Sequence, residues 1–168
     1  MERKYEYRRK LPHYQPDDKA FFITFSTNQR WILPESVRGI VMDTWSAGNG
    51  KKFHLYGLVV MPDHVHVVLT PLRDGDGPIS IAEIMQAIKG ASAHRINRAL
   101  GRKGKVWESE SFDSALRHEE SIVDKVDYIL GNPVGAGLVN NPLEYRWLWR
   151  ETGESLGGTG EDARPPSF

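Results

Sequence analysis

Strand-like and helix-like segments alternate in the order strand, helix, strand, strand, helix, strand, followed by one more helix. That order predicts an α+β fold, a ferredoxin-like β-α-β-β-α-β antiparallel sheet with an added C-terminal helix bearing Tyr128. The break between the second and third strands is only Pro62-Asp63, too short for a crossover, so these strands should form a hairpin. The length, 168 residues, fits one domain able to bury a core without staples.

Phe21-Phe22-Ile23-Thr24-Phe25-Ser26 is aromatic and β-branched and reads as the first strand. Pro34 suits the first turn of a helix that runs to about Gly48, with Val37, Ile40, Val41 and Trp45 at helical spacing. Residues 53–61 and 64–71 are the hairpin strands, and 74–78 reads as a loop. Ser80 with Glu83 forms a capping-box pattern before a helix whose stripe is Ile81, Ile84, Met85, Ile88 and Ala91. A fourth strand is expected over 106–116, then a helix over 121–132 that Pro133 should end, because the residue before proline avoids the α region. The Gly, Glu, Pro and Ser content after Thr152 predicts a disordered tail over 151–168.

Composition excludes several classes. The chain has no cysteine, hence no disulfide, thiolate metal site or cysteine nucleophile. No apolar run approaches the roughly 18 residues a membrane span needs. The start lacks an apolar signal core, which predicts a cytoplasmic protein. The net charge of zero is a cancellation. Residues 1–105 hold 17 basic and 10 acidic side chains, a net of +7, and residues 106–168 hold 5 and 12, a net of −7.

Four features carry chemistry. In Met61-Pro62-Asp63-His64-Val65-His66, residues two apart on a strand face one side, so His64 and His66 project together while Val65, Val67 and Leu69 turn to the core. Two neutral imidazoles so spaced suit a divalent metal, or equally a hydrogen-bonded surface pair. Tyr128 and Asn132, four apart, share a helix face, and a tyrosine beside a metal can serve as a nucleophile; a half-buried helix tyrosine has the same pattern. Between Ile84 and Trp107 lie Lys89, Arg95, Arg98, Arg102, Lys103 and Lys105 with no acid, a ridge suited to phosphates or an ordinary solvated face. Tyr5-Glu6-Tyr7-Arg8-Arg9-Lys10 interleaves rings and cations, as single-strand binding requires and as a frayed terminus also can.

The 61–66 segment resembles the histidine–hydrophobic–histidine (HUH) motif of single-tyrosine transposases from small bacterial insertion sequences. Residues 126–139, Val-Asp-Tyr-Ile-Leu-Gly-Asn-Pro-Val-Gly-Ala-Gly-Leu-Val, resemble the tyrosine helix of REP-associated tyrosine transposases. Val106-Trp107-Glu108 and Phe112-Asp113 fit the segment between, and Tyr7-Arg8-Arg9 resembles the basic N-terminal element of that group. The resemblance spans roughly residues 5–149 and implies a domain over 1–150 with a basic N-terminal arm. It implies a metal-dependent endonuclease and strand transferase acting on single-stranded DNA hairpins of the repetitive extragenic palindrome type. Such an enzyme works through a 5′-phosphotyrosine intermediate, as a monomer or homodimer. By motif, His64, His66 and Asn132 would be ligands to Mg²⁺ or Mn²⁺, and Tyr128 the nucleophile. Tyr7, Arg8 and Arg9 would contact a guide sequence; Lys89, Arg95, Arg98 and Arg102 would hold DNA phosphates. Asp63 stands where the group commonly has Asn, and Gly135 where it often has Arg. The alternatives are a non-catalytic hairpin-DNA-binding protein derived from a transposase, and a metal-dependent hydrolase of small phosphoesters that uses water in place of Tyr128. Should a DNA adduct survive Tyr128→Phe, Tyr145 is the next candidate nucleophile.

Overall fold

The computed structural model describes residues 19–152. The expected tail from 153 onward and the N-terminal arm with Tyr7, Arg8 and Arg9 lie outside those residues. The chain runs β1 (Ala20–Ser26), α1 (Glu35–Gly48), β2 (Phe53–Val60) and β3 (His64–Pro71). A small hairpin β4 (Arg73–Asp74) and β5 (Gly77–Pro78) follows, then α2 (Ile81–Leu100), β6 (Phe112–Leu116), α3 (Glu119–Gly135) and β7 (Leu148–Arg150). The main sheet has the order β6-β1-β3-β2-β7 with every pair antiparallel. Its first four strands are the predicted ferredoxin-like arrangement, and β7 adds an edge.

Alternation along β1 divides the sheet into two faces. Phe25 points to the face covered by α1 and α2, meeting Trp45 at 6.1 Å and Trp107 at 4.9 Å between ring centroids. Ile23, Val65, Val67 and Leu69 are fully buried in the same core. Phe22 points to the other face, where α3 lies. There Val68 and Thr70 are also buried, so the sheet is covered on both sides. Alpha-3 seats on β2 at Gly57, where an added Cβ would come within 3.3 Å of Val126 Cγ2. Registry aligns Phe112 with Thr24 and Thr24 with His66, three residues in one row on the α3 face.

The helix ends follow local chemistry. Ser80 Oγ accepts the Glu83 N–H at 3.0 Å, the predicted cap, and Gly101 closes α2 in the left-handed region at φ 63°. Three boundaries differ from the sequence reading. Residues 74–78 contribute strands to the β4–β5 hairpin. The fourth strand begins at Phe112 and not at Val106. The Trp107 indole is drawn toward α2, donating to the Ser92 hydroxyl at 2.9 Å, and the Lys89 ammonium donates to the carbonyls of Glu108, Ser109 and Glu110 at 2.9, 3.3 and 3.4 Å. Pro133 lies inside α3 instead of ending it. Its ring is buried with Ile129 and Val126, and that packing outweighs the one backbone hydrogen bond a proline forfeits.

Candidate functional site

The α3 face gathers the predicted chemical residues at one end of the sheet. Beta-3 begins at His64, immediately after the Pro62-Asp63 turn, and carries His66 two residues on. The imidazole centroids are 4.8 Å apart. Alpha-3 crosses above and presents Tyr128 and Asn132 from successive turns. Met61, His64, Asp127, Tyr128, Gly131 and Asn132 line one open cleft of about 490 Å³. Tyr128 therefore meets the histidines of its own chain, with its ring 5.5 Å from that of His66.

Each histidine is held through Nδ1. The His64 Nδ1–H donates to Asp63 Oδ1 at 2.7 Å, and Arg30 Nε–H donates to Asp63 Oδ2 at 3.0 Å. Burial would raise the Asp63 carboxyl, but hydrogen bonds from His64 and Arg30 and their charges outweigh it and hold it below its ordinary value. An ionised carboxylate can only accept, so it fixes the His64 tautomer with the proton on Nδ1. His66 Nδ1 lies 2.7 Å from Thr24 Oγ1, and its ring stacks on Phe22 at 5.3 Å. Burial pushes the His66 pKa down to about 4, assisted by the nearby His64 and Lys125 charges, so this imidazole is neutral at physiological pH.

These residues fit a divalent cation. Both histidines engage neighbours through Nδ1, the arrangement in which a carboxylate or hydroxyl orients a ligating imidazole for binding through its other nitrogen. Asn132 Oδ1 is buried without a hydrogen-bond partner among the described residues. An orphaned amide oxygen at such a site is costly unless something occupies its lone pairs. Among the described residues no cluster of three or more His, Cys, Asp or Glu could hold a metal ion.

Other predicted residues lie elsewhere. Lys89 does not face the cleft or present itself to a phosphate. Its ammonium is committed to the three carbonyls before β6 and lies 5.7 Å from the Phe25 ring, and burial lowers its pKa. Arg95 and Arg98 lie on α2, on the opposite side of the sheet, but Arg102 does not continue their ridge: the helix stops at Leu100, Gly101 turns the chain, and Arg102 donates to Asn97 Oδ1 at 2.7 Å. Arg95 and Arg98 are exposed, with Arg95 4.0 Å from Asp43, while Arg102 lies over the Trp31 ring at 4.2 Å. Tyr145 is buried, its hydroxyl donating to the Val60 carbonyl at 2.6 Å, and burial raises its pKa to about 12. It cannot stand in for Tyr128, which is half exposed.

Sequence reasoning missed Lys125. Its ammonium sits 4.8 Å from the Phe22 ring and 5.9 Å from the Tyr128 ring. The i, i+3 spacing to Tyr128 places it on the adjoining helix surface, and that spacing was the only available signal. Arg30 was missed as well. It and Gln29 adopt left-handed φ values of 56° and 52°, uncommon for side chains of this size, in the turn that delivers the guanidinium to Asp63. No helix among the described residues is long and apolar enough to cross a membrane.

Comparison with known proteins gives concordant findings. A family model described as IS200-like transposase matches residues 34–129, a span that contains the histidine pair and Tyr128. A Haemophilus influenzae protein described as a REP-associated tyrosine transposase is 27% identical over 93 residues, covering 52% of this chain and 53% of the relative. The REP-associated tyrosine transposase of Escherichia coli K12 is 30% identical over 95 residues, covering 56% and 53%. The chain thus spans about half the length of the curated relatives it matches. A solved structure of a REP-associated tyrosine transposase bound to a REP hairpin shares the fold, with a TM-score of 0.57, 24% identity, and coverage of 88% of this chain and 81% of that one.

Proposed function

The chain belongs to the IS200-like transposase family, and we propose that it nicks and rejoins single-stranded hairpin DNA with Tyr128 as nucleophile. The observation that carries this reading is the gathering of four side chains: His64 from the strand and Tyr128 and Asn132 from the helix line one cleft, and the buried His66 ring lies behind it, 4.8 Å from that of His64 and 5.5 Å from that of Tyr128. The hairpin substrate is proposed by likeness to the relatives.

Tyr128 Oη attacks the scissile phosphorus in line. An O–P bond forms, the P–O3′ bond breaks, and O3′ departs with the electron pair and takes a proton from solvent. The phenolic proton passes to solvent. The products are a 5′-phosphotyrosine and a free 3′-hydroxyl, and a second 3′-hydroxyl reverses the step to join strands without ATP. His64, His66 and Asn132 would hold Mg²⁺ or Mn²⁺, which when bound would supply Lewis-acid polarisation of the phosphate. Asp63 and Thr24 keep the two imidazoles in one orientation. The Lys125 cation favours charge developing on the phenol oxygen and phosphate. Arg95, Arg98 and Arg102, away from the cleft, would hold hairpin backbone and not the scissile phosphate.

The test uses end-labelled hairpin oligonucleotides from a random-stem pool, with Mn²⁺. A denaturant-resistant protein–DNA adduct is expected with the native chain and none with Tyr128→Phe at equal folded concentration. An adduct that survives Tyr128→Phe sinks the assignment. Metal-independent hairpin binding with no cleavage under any divalent ion would favour a DNA-binding protein instead.

A further inference from the structure

Phe112 is the most exposed aromatic residue of the main sheet, with 79% of its surface open. It opens β6, an edge strand, and its registry with Thr24 puts it in the same row as His66. Paired strands lie about 4.8 Å apart, so the Phe112 backbone is roughly 10 Å from that of His66. The backbone leading into it is anchored, because Lys89 clamps the carbonyls of Glu108, Ser109 and Glu110. On the same face Lys125 rests its charge on the Phe22 ring, and no described carboxylate pairs with it. An apolar ring held out to solvent has no role in the core. An exposed ring on an anchored strand and a cation on the same face are the two components that hold unpaired bases and their phosphates.

We propose that Phe112 is a stacking platform for an unpaired nucleobase of the strand that carries the scissile phosphate. The inference rests on the strand-nicking reading and adds to it a binding subsite on β6. Stacking of this kind tolerates any base, so the subsite would position the strand without reading its sequence.

The experiment uses a hairpin oligonucleotide selected by the native protein from a random pool, carrying a single-stranded extension with 2-aminopurine at successive positions, in EDTA so that nothing is cut. The native protein should quench fluorescence at one position of the extension. Phe112→Ala should abolish that quench and weaken binding of the extended hairpin roughly 5- to 150-fold, leaving binding of the hairpin without extension unchanged. Phe112→Trp should keep both. A quench that persists in Phe112→Ala, an equal loss on both oligonucleotides, or no quench at any position with the native protein overturns the platform. Since adduct formation is scored separately with Mn²⁺, a missing adduct with an intact quench would fail the catalytic reading alone.

Discussion

Phe22 and Phe25 lie three residues apart on β1 and open onto two different environments. Phe25 is sealed between Trp45 and Trp107, and beside it the Trp107 indole donates to the Ser92 hydroxyl. Phe22 stacks on His66, touches Tyr128 edge-on and carries the Lys125 charge; the same helix holds the Asn132 amide oxygen, which has no hydrogen-bond partner among the described residues. One face of the sheet is a sealed aromatic core, closed to solvent although the buried Trp45 indole N–H has no hydrogen-bond partner among the described residues. The other is held nearly as firmly but opens on a cleft lined by His64, Tyr128 and Asn132. The difference teaches where stability and chemistry separate in this molecule, and it can be broken from either side.

The largest expected effect falls on the closed face. Phe25→Ala empties a fully packed site and should cost about 3–5 kcal/mol of stability, read as a fall in the denaturant midpoint with an unchanged m-value. At concentrations where the variant stays folded, Mn²⁺ binding should be close to native. A large loss of metal affinity there would mean the faces are not independent.

Next comes pH. The folded pKa of His66 is depressed to about 4 from 6.5, so between those values the unfolded chain binds the extra proton. Stability contributed by the neutral ring is present above pH 6.5 and lost as pH falls toward 4. A shift of this size corresponds to roughly 3 kcal/mol at most. Chemical denaturation at pH 4.5 and 7.5 should show a smaller difference for His66→Gln than for the native chain; an identical difference would show that His66 titrates normally.

The smallest of these effects concerns Asp63. Asp63→Ala removes the acceptor that fixes His64 and should weaken Mn²⁺ binding about 10- to 100-fold by calorimetry. Asp63→Asn keeps an acceptor oxygen and should lose much less. Equal losses would place the importance of Asp63 in its charge.

The histidine pair and the Tyr128/Asn132 pair were legible because their geometry is local: two residues per strand repeat, four per helical turn. The four-strand order followed from element order and one short turn. What was not legible depended on partners without a residue signature. Lys89 looked like a phosphate ligand because nothing in a sequence reveals that three main-chain carbonyls will surround it. Pro133 looked like a helix stop because its compensation is tertiary, the burial of its ring with Ile129. Lys125 and Arg30 acquire meaning only once β1 lies beneath α3 and the 28–30 turn beside Asp63.

Gly57 lies beneath α3 and touches no proposed substrate, yet the helix that bears Tyr128 rests on β2 where that side chain is missing. A bare hydrogen there sets the clearance between helix and sheet, and so how far the tyrosine stands above the imidazoles. Reactions of this kind respond to errors of an ångström. The calibration of the proposed nucleophile's reach is thus written partly into a backbone position outside the cleft, as a spacer of the thinnest gauge the amino-acid alphabet allows.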